Sequence, residues 1–334
     1  MNSEMFPSIE ERRKLKQIPR RFKDRRILVI GDLMLDHYIR GSVNRLSPEA
    51  PVPIVQVKEE SFVPGGAGNV AANLAALLGK VEVIGVIGED SSGFELQSHF
   101  ASLKIGTTGI VKDPARVTSQ KCRVVAERQQ VVRYDRESIS PVAGKTESQI
   151  LSQIQSEIKK AEAVILSDYG KGVLTPKILK TAISLSRRNQ IPVIVDPKIE
   201  HFKRYKNVTC VTPNLHEAWN GMRRIPKPGE EELEKLGRDM VRTLNSDSAL
   251  ITRGPEGMSL FQKSHLTVHV PAQAREVFDV SGAGDTVIST LTLALASGAS
   301  LTQAALISNY AAGIVVGKLG TATTTIEEIE SAIP

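Results

Sequence analysis

Residues 26–32 read Arg-Ile-Leu-Val-Ile-Gly-Asp, four consecutive apolar positions closed by a glycine and a carboxylate. This predicts a strand buried on both faces that delivers a polar residue at its carboxyl end. Comparable runs recur at 81–87, 163–167, 191–196, 208–212 and 249–252. Between them the period changes. Over 68–78, Val70, Ala71, Leu74, Ala75 and Leu78 fall on one helical face. Segments 147–160, 176–188, 230–244, 283–296 and 301–317 read the same way. Strands alternating with helices predict an α/β fold: a mostly parallel sheet flanked by helices on both faces, with ligands at the carboxyl ends of the strands. Two segments break the alternation. Residues 38–57 are rich in proline and valine, and 118–135 alternate Val with Arg and Gln. Both predict short strands outside the main sheet, a small antiparallel β lid over the strand ends. With no internal repeat or low-complexity linker, residues 27–334 read as one domain.

Charge then singles out the first 26 residues. The chain of 334 residues has a net charge of +6, and residues 1–26 carry +5 of it. The rest is close to neutral, so a nucleic-acid partner is not expected. The basic segment is expected to be a solvated helical extension. It has no apolar h-region of a secretory signal. No apolar run reaches the roughly 20 residues of a membrane span. Cys122 and Cys210 offer neither a disulfide framework nor a zinc spacing, which suits a reducing cytoplasm.

The strongest chemical signal is Asp279-Val280-Ser281-Gly282-Ala283-Gly284-Asp285, which runs into the helix predicted from Ala283. Gly282 and Gly284 let the backbone turn so that successive N–H groups point one way. The helix N-terminus adds partial positive charge, and together these make a hole for a transferring phosphoryl group. Asp285, in the first turn, is positioned to accept a proton from an attacking hydroxyl. The plain alternative is a glycine-bearing turn with an acidic cap. Two other nucleotide signals fail. Gly144-Lys145-Thr146 would need a glycine at position 139, where Ile139 stands. Gly66-Ala67-Gly68-Asn69-Val70-Ala71 imitates a dinucleotide fingerprint, but residues 59–64 before it are no buried strand. Gly65 and Gly66 are better read as allowing close backbone approach to a polar ligand, with Asn69 offering an amide to hydroxyls.

Other candidates stand at strand ends. Asp36 follows the first strand and suits two neighbouring sugar hydroxyls, or a turn. Asp168-Tyr169-Gly170-Lys171-Gly172 could bind an anion through Asp168 and Lys171, or simply turn the chain. Pro213-Asn214-Leu215-His216-Glu217 opens a helix. Asn214 and Glu217 can order a metal-bound water beside phosphates, or form a capping box. His216 reads as an incidental surface residue.

Taken together, Gly31-Asp32 with Asp36, Gly65-Gly66 with Asn69, Asn214 with Glu217, Thr252-Arg253-Gly254 and residues 279–285 resemble the ribokinase-like (PfkB) carbohydrate kinases. The resemblance runs from Ile27 to about Ile326. It implies a ribokinase-like fold, with Asp285 as base and Gly282, Ala283 and Gly284 as the anion hole. It implies Mg–ATP phosphates beside Asn214, Leu215, His216 and Glu217, with Mg²⁺ held through water near Glu217, and Thr252 and Gly254 in the nucleotide site. The acceptor sugar would meet Asp36, Gly65, Gly66 and Asn69. Some members bind a monovalent cation, and the family suggests a homodimer with the lid at the interface.

Residues 45–53, 65–71, 167–172 and 320–323 are most similar to the heptose 7-phosphate kinases, whose acceptor is a sugar phosphate. In many bacteria these are fused to an adenylyltransferase. No His-x-Gly-His is present here, so the expectation is the kinase part alone. Lys171, Arg133 and Lys198 are candidates for the acceptor's own phosphate, or surface salt-bridge partners. Val280-Ser281 departs from the more frequent threonine of the wider family.

Overall fold

The computed structural model describes residues 9–127, 129–263, 267–273 and 277–334. The main sheet is built from β1 (Arg26–Gly31), β4 (Lys80–Ile87), β5 (Gly106–Lys112), β8 (Ala163–Ser167), β9 (Val193–Asp196), β10 (Cys210–Val211), β11 (Ser248–Thr252), β12 (Met258–Gln262) and β13 (Val268–Val270). Its order is β13-β12-β11-β10-β9-β8-β1-β4-β5. The pairings from β5 through β11 are parallel, and β12 and β13 add an antiparallel edge. A second sheet, β3-β2-β6-β7, comprises β2 (Leu33–Leu46), β3 (Pro53–Gly66), β6 (Ser119–Ala126) and β7 (Gln129–Arg136).

Strand β1 explains the two-sided core. Ile27 and Val29 enter one apolar cluster while Leu28 and Ile30 enter the other, as the two-residue period requires. The first cluster lies under α2 (Ala67–Ala76), α8 (Ala283–Ala296), α9 (Leu301–Val315) and α10 (Ile326–Ala332). The second lies under α4 (Gly144–Glu157), α5 (Pro176–Arg188), α6 (Leu215–Gly221) and α7 (Glu230–Leu244). Local sequence sets the helix starts. Thr175 caps α5 through the N–H of Ile178, with Pro176 at the first helical position. Asp90 caps the intervening α3 (Ser91–Ser102) through Gly93 N.

One expectation needs correction, and two gain detail. The basic extension is not a solvated helix. α1 (Ile9–Gln17) and the short turn after it bury Leu15, Ile18 and Phe22 in the first apolar cluster. Arg20 also pairs with Glu330 of α10 at 2.8 Å. The hydrophobic positions are sparse among charges, which conceals them in a composition count. Residues 59–64 are no buried strand, as expected: they belong to β3, which pairs in the lid with β2 and leaves Glu59 and Glu60 exposed. The lid strands are longer than expected, and the lid includes one parallel pairing, β2 with β6, between its two antiparallel ones. Because β2 continues directly from β1 and β3 runs directly into α2, the lid is rooted at the carboxyl end of the main sheet.

Candidate active site

Gly282 sits at φ +79°, a left-handed position suited to glycine, and caps the N-terminus of α8. Ala283 N donates to Val280 O at 3.2 Å, closing the turn. The N–H groups of Gly282, Gly284 and Asp285 make no hydrogen bond among the described residues. A Cβ placed on Gly284 would meet nothing within 4 Å. Among the described residues these donors are unpaired, at the positive end of a 14-residue helix. Asp279 holds the turn from behind, accepting from Ser281 N at 2.9 Å and Gly320 N at 3.1 Å.

Asp285 is buried at the mouth of this turn. Asn69 Nδ2 donates to its Oδ2 at 2.6 Å, and the Tyr169 hydroxyl donates to its Oδ1 at 2.8 Å. Burial pushes its carboxyl up to about 6, and the Asp36 carboxylate adds to the rise. The Asn69 and Tyr169 hydrogen bonds oppose it. The result is a carboxylate poised to exchange a proton near neutral pH. Asn69 is itself fixed. Asn73, one turn on along α2, donates to Asn69 O at 2.9 Å, and the Thr286 hydroxyl donates to Asn73 Oδ1 at 2.8 Å.

On the lid side, Arg123 donates to Asp36 Oδ1 at 2.6 Å. A Cβ on Gly65 would stand 2.6 Å from Asp36 Oδ2, so only glycine admits this approach. Gly66 lies at φ +55°, where the chain leaves β3 for α2. Asp36, Gly65, Gly66 and Asn69 thus lie near Asp285 where the lid joins the main sheet.

The loop after β8 is organised by Asp32 at the end of β1. Asp32 accepts from Tyr169 N, Lys171 N and Val173 N at 2.9–3.0 Å. Burial, with Asp168 nearby, raises its carboxyl, and those three donors counter the rise. Asp168 has both oxygens engaged, by Gly170 N at 2.9 Å, Tyr205 Oη at 2.7 Å and His201 Nδ1 at 2.8 Å. It therefore supports the loop, in line with the turn that the sequence offered beside an anion site. Lys171 Nζ pairs with Glu137 at 2.7 Å. Arg133 on β7 forks onto Asp135 at 2.8 and 2.7 Å, and Lys121 reaches the same carboxylate at 3.2 Å. These charges share the lid's polar face: Asp36 is in register with Lys121, and Arg123 with Arg133.

On the other flank, Asn214 and Glu217 form the full capping box of α6, both bonds at 2.9 Å. The capping reading is therefore realised. Only Glu217 Oε2 is used in it, and burial raises this carboxyl. Asp196, at the end of β9, is pushed well up by burial and by Asp285 and Glu217. Two carboxyls whose ionised forms are disfavoured at one sheet edge suit a dication. His216 is exposed, and Asn220 Nδ2 donates to its main-chain oxygen at 2.8 Å. Leu215 packs against the second core cluster. Thr252 N donates to Pro213 O at 3.0 Å, which joins the end of β11 to the start of α6. Gly254 follows at φ +59°.

Sequence reasoning named neither Tyr169 nor Asn73 as a site residue. Asn73 carried a signal, the helical spacing from Asn69. Tyr169 lay inside a motif already singled out. Asp196 closed a predicted strand but was given no role.

A buried carboxylate with a near-neutral proton affinity, set against unpaired helix-terminal donors, has the geometry of a phosphotransferase site. Residues 24–328 match the pfkB family carbohydrate kinase pattern. Bifunctional protein HldE of Trichlorobacter lovleyi is 45% identical over 97% of this chain, and that of Geotalea uraniireducens 46% identical over the same share. The chain spans 66% of the length of each. Among solved structures, phosphofructokinase-2 from Escherichia coli in complex with potassium has a TM-score of 0.77 at 21% identity, covering 93% of this chain and 98% of the other. Arabidopsis thaliana ribokinase complexed with ribose and ATP has a TM-score of 0.73 at 17% identity, covering 93% and 99%. The chain belongs to the pfkB family of carbohydrate kinases and is a phosphotransferase with an alcohol group as acceptor. No helix among the described residues is long and apolar enough to cross a membrane.

Proposed function

We propose that this protein transfers the γ-phosphoryl group of ATP to the anomeric hydroxyl of D-glycero-β-D-manno-heptose 7-phosphate, yielding the 1,7-bisphosphate and ADP. That product would feed ADP-heptose and lipopolysaccharide core synthesis. The observation that carries the kinase reading is the convergence of Asp285 with the free N–H groups of Gly282 and Gly284. The heptose acceptor rests on the similarity of residues 45–53 and 167–172 to that kinase group. The basic side chains of the lid's polar face suit an acceptor that brings its own phosphate.

The chemistry follows from the residues present. Asn69 and Tyr169 orient the Asp285 carboxylate. Asp36, kept by Arg123 against Gly65, receives neighbouring sugar hydroxyls and turns the acceptor oxygen towards the base. As the bond from that oxygen to phosphorus forms and the bond to ADP breaks, Asp285 takes the hydroxyl proton. The free N–H groups meet the charge on the transferring group's oxygens. Glu217 and Asp196 suit Mg²⁺ held through water, since a dication would offset the burial that disfavours both charges and the repulsion of Glu217 on Asp196. Bound there, Mg²⁺ supplies charge neutralisation at the phosphates. Asn214, Thr252 and Gly254 border the same edge and fit the nucleotide. A monovalent cation beside the 279–285 turn belongs to this reading.

We further assign the protein to the cytoplasm, in keeping with two unpaired, buried cysteines. We also assign it as a homodimer joined through β7, whose Val131, Val132 and Tyr134 are exposed. An ADP-release screen over sugars, sugar phosphates and nucleosides tests the function. Preference for heptose 7-phosphate by at least two orders of magnitude in kcat/KM is expected. Equal or better turnover of another acceptor would overturn the heptose assignment and leave the kinase intact. Light scattering in solution tests the dimer.

A further inference from the structure

Asp285 has a second partner that the proton-transfer scheme does not demand. Tyr169 is 116 residues away in sequence, yet its hydroxyl donates to Asp285 Oδ1 at 2.8 Å. Its main chain is equally fixed, since Tyr169 N donates to Asp32 Oδ2 at 2.9 Å. Asp32 also accepts from Lys171 N and Val173 N, so the whole turn is clamped to the end of β1. The phenol is thus placed by the main sheet, on the carboxylate oxygen that Asn69 leaves free. We propose that Tyr169 is a positioning residue for the base, fixing the Asp285 carboxylate plane and leaving the remaining lone pairs to the acceptor hydroxyl.

The electrostatic surroundings give this hydrogen bond its importance. The charged groups that act on Asp285 and its phenol partner are Asp36 from β2, Asp196 from the end of β9 and Glu217 from α6, all acidic. Burial and the Asp36 carboxylate favour the protonated, inactive form of the base. Tyr169 and Asn69 are the two donors that oppose them. Asn69 also lies where the acceptor binds, so its amide has a second demand on it. Tyr169 is the donor dedicated to Asp285. Its own phenol is held firmly protonated by burial and by Asp285, so it remains a donor across the working pH range.

The inference rests on Asp285 being the base, and the test separates the two. Tyr169→Phe keeps the ring and removes only the donor. The acid limb of kcat/KM should move to higher pH by roughly one to two units, with acceptor KM little changed at pH 8. The ¹³C-carboxyl resonance of Asp285, assigned by its loss in Asp285→Asn, should titrate later by the same amount. That readout needs no turnover and stands even if the acceptor assignment fails. An acid limb and a titration identical to the parent would overturn the proposal. So would higher activity at every pH, which would make the phenol a block on the base. If Asp285→Asn retained turnover, the base assignment itself would fall, while the carboxyl titration would still report whether the phenol holds Asp285.

Discussion

Replacing Asp285 by asparagine separates the two consequences of burying this carboxylate. Burial lifts it from the ordinary 3.8 to about 6. At pH 7 about ten molecules in eleven carry the ionised base, and at pH 5 about one in eleven. Activity that depends on this base should fall about tenfold per unit below pH 6. Removal of the base should cost about 10²–10⁴ in kcat.

The stability effect has a definite sign. The folded carboxyl holds its proton more tightly than the unfolded one. The stabilisation is therefore complete below pH 3.8 and is lost as pH rises through about 6. At pH 7 the ionised group costs roughly 3 kcal/mol relative to an unperturbed carboxyl. Asparagine escapes that cost but offers one acceptor instead of two. Its amide NH₂ must face either Asn69 Nδ2 or the Tyr169 hydroxyl, both of which donate in the parent. The hydroxyl can rotate and accept, so the mismatch should cancel only about 1–2 kcal/mol of the gain. Asp285→Asn should therefore be about 1–2 kcal/mol more stable at pH 7 and lose that advantage by pH 4. For a chain of this length each kcal/mol is about 1.4 °C in Tm. Steady-state kinetics over pH 5–8 and paired thermal melts at pH 4 and 7 read both arms. A flat kcat/KM over pH 5–8, or near-normal turnover in the variant, would refute the role of Asp285.

Three further perturbations follow from specific contacts. Phe22→Ala removes a fully buried ring of the N-terminal segment and should cost about 3–5 kcal/mol in urea unfolding; no change would mean the segment is not part of the core. Gly65→Ala brings a methyl to 2.6 Å from Asp36 Oδ2 and should raise acceptor KM more than tenfold with ATP KM nearly unchanged; an ATP-side defect would contradict the sugar-side assignment. Glu217→Gln keeps an acceptor for the α6 cap but removes a charge beside Asp196; the Mg²⁺ concentration for half-maximal activity should rise several-fold, and an unchanged requirement would remove Glu217 from the metal site.

What the sequence disclosed followed the range of the interaction involved. β1, β8 and β9 were legible because an apolar run closed by a carboxylate is a local pattern, and Asp32, Asp168 and Asp196 stand at those ends. The 279–285 turn was legible for the same reason: a glycine before a helix, with a second in its first turn, is a local pattern. The partnership of each side chain was not local. Asp168 and Asp32 look alike in sequence. The fold spends Asp168 on Tyr205 and His201 and uses Asp32 to clamp the loop that carries Tyr169. Asn69 and Tyr169 reach Asp285 across 216 and 116 residues, so nothing near any of the three foretells the contact. The N-terminal segment failed for the opposite reason. Its charges dominate composition, but Leu15, Ile18 and Phe22 decide where it lies. Asn214–Glu217 shows why a local reading and a functional one need not compete. The cap takes the Asn214 side-chain oxygen and Glu217 Oε2. It thereby fixes the carboxylate's orientation and leaves Oε1 free of the cap. A group locked in this way is better suited to order water beside phosphates than a mobile one, because its conformational entropy is already lost in folding.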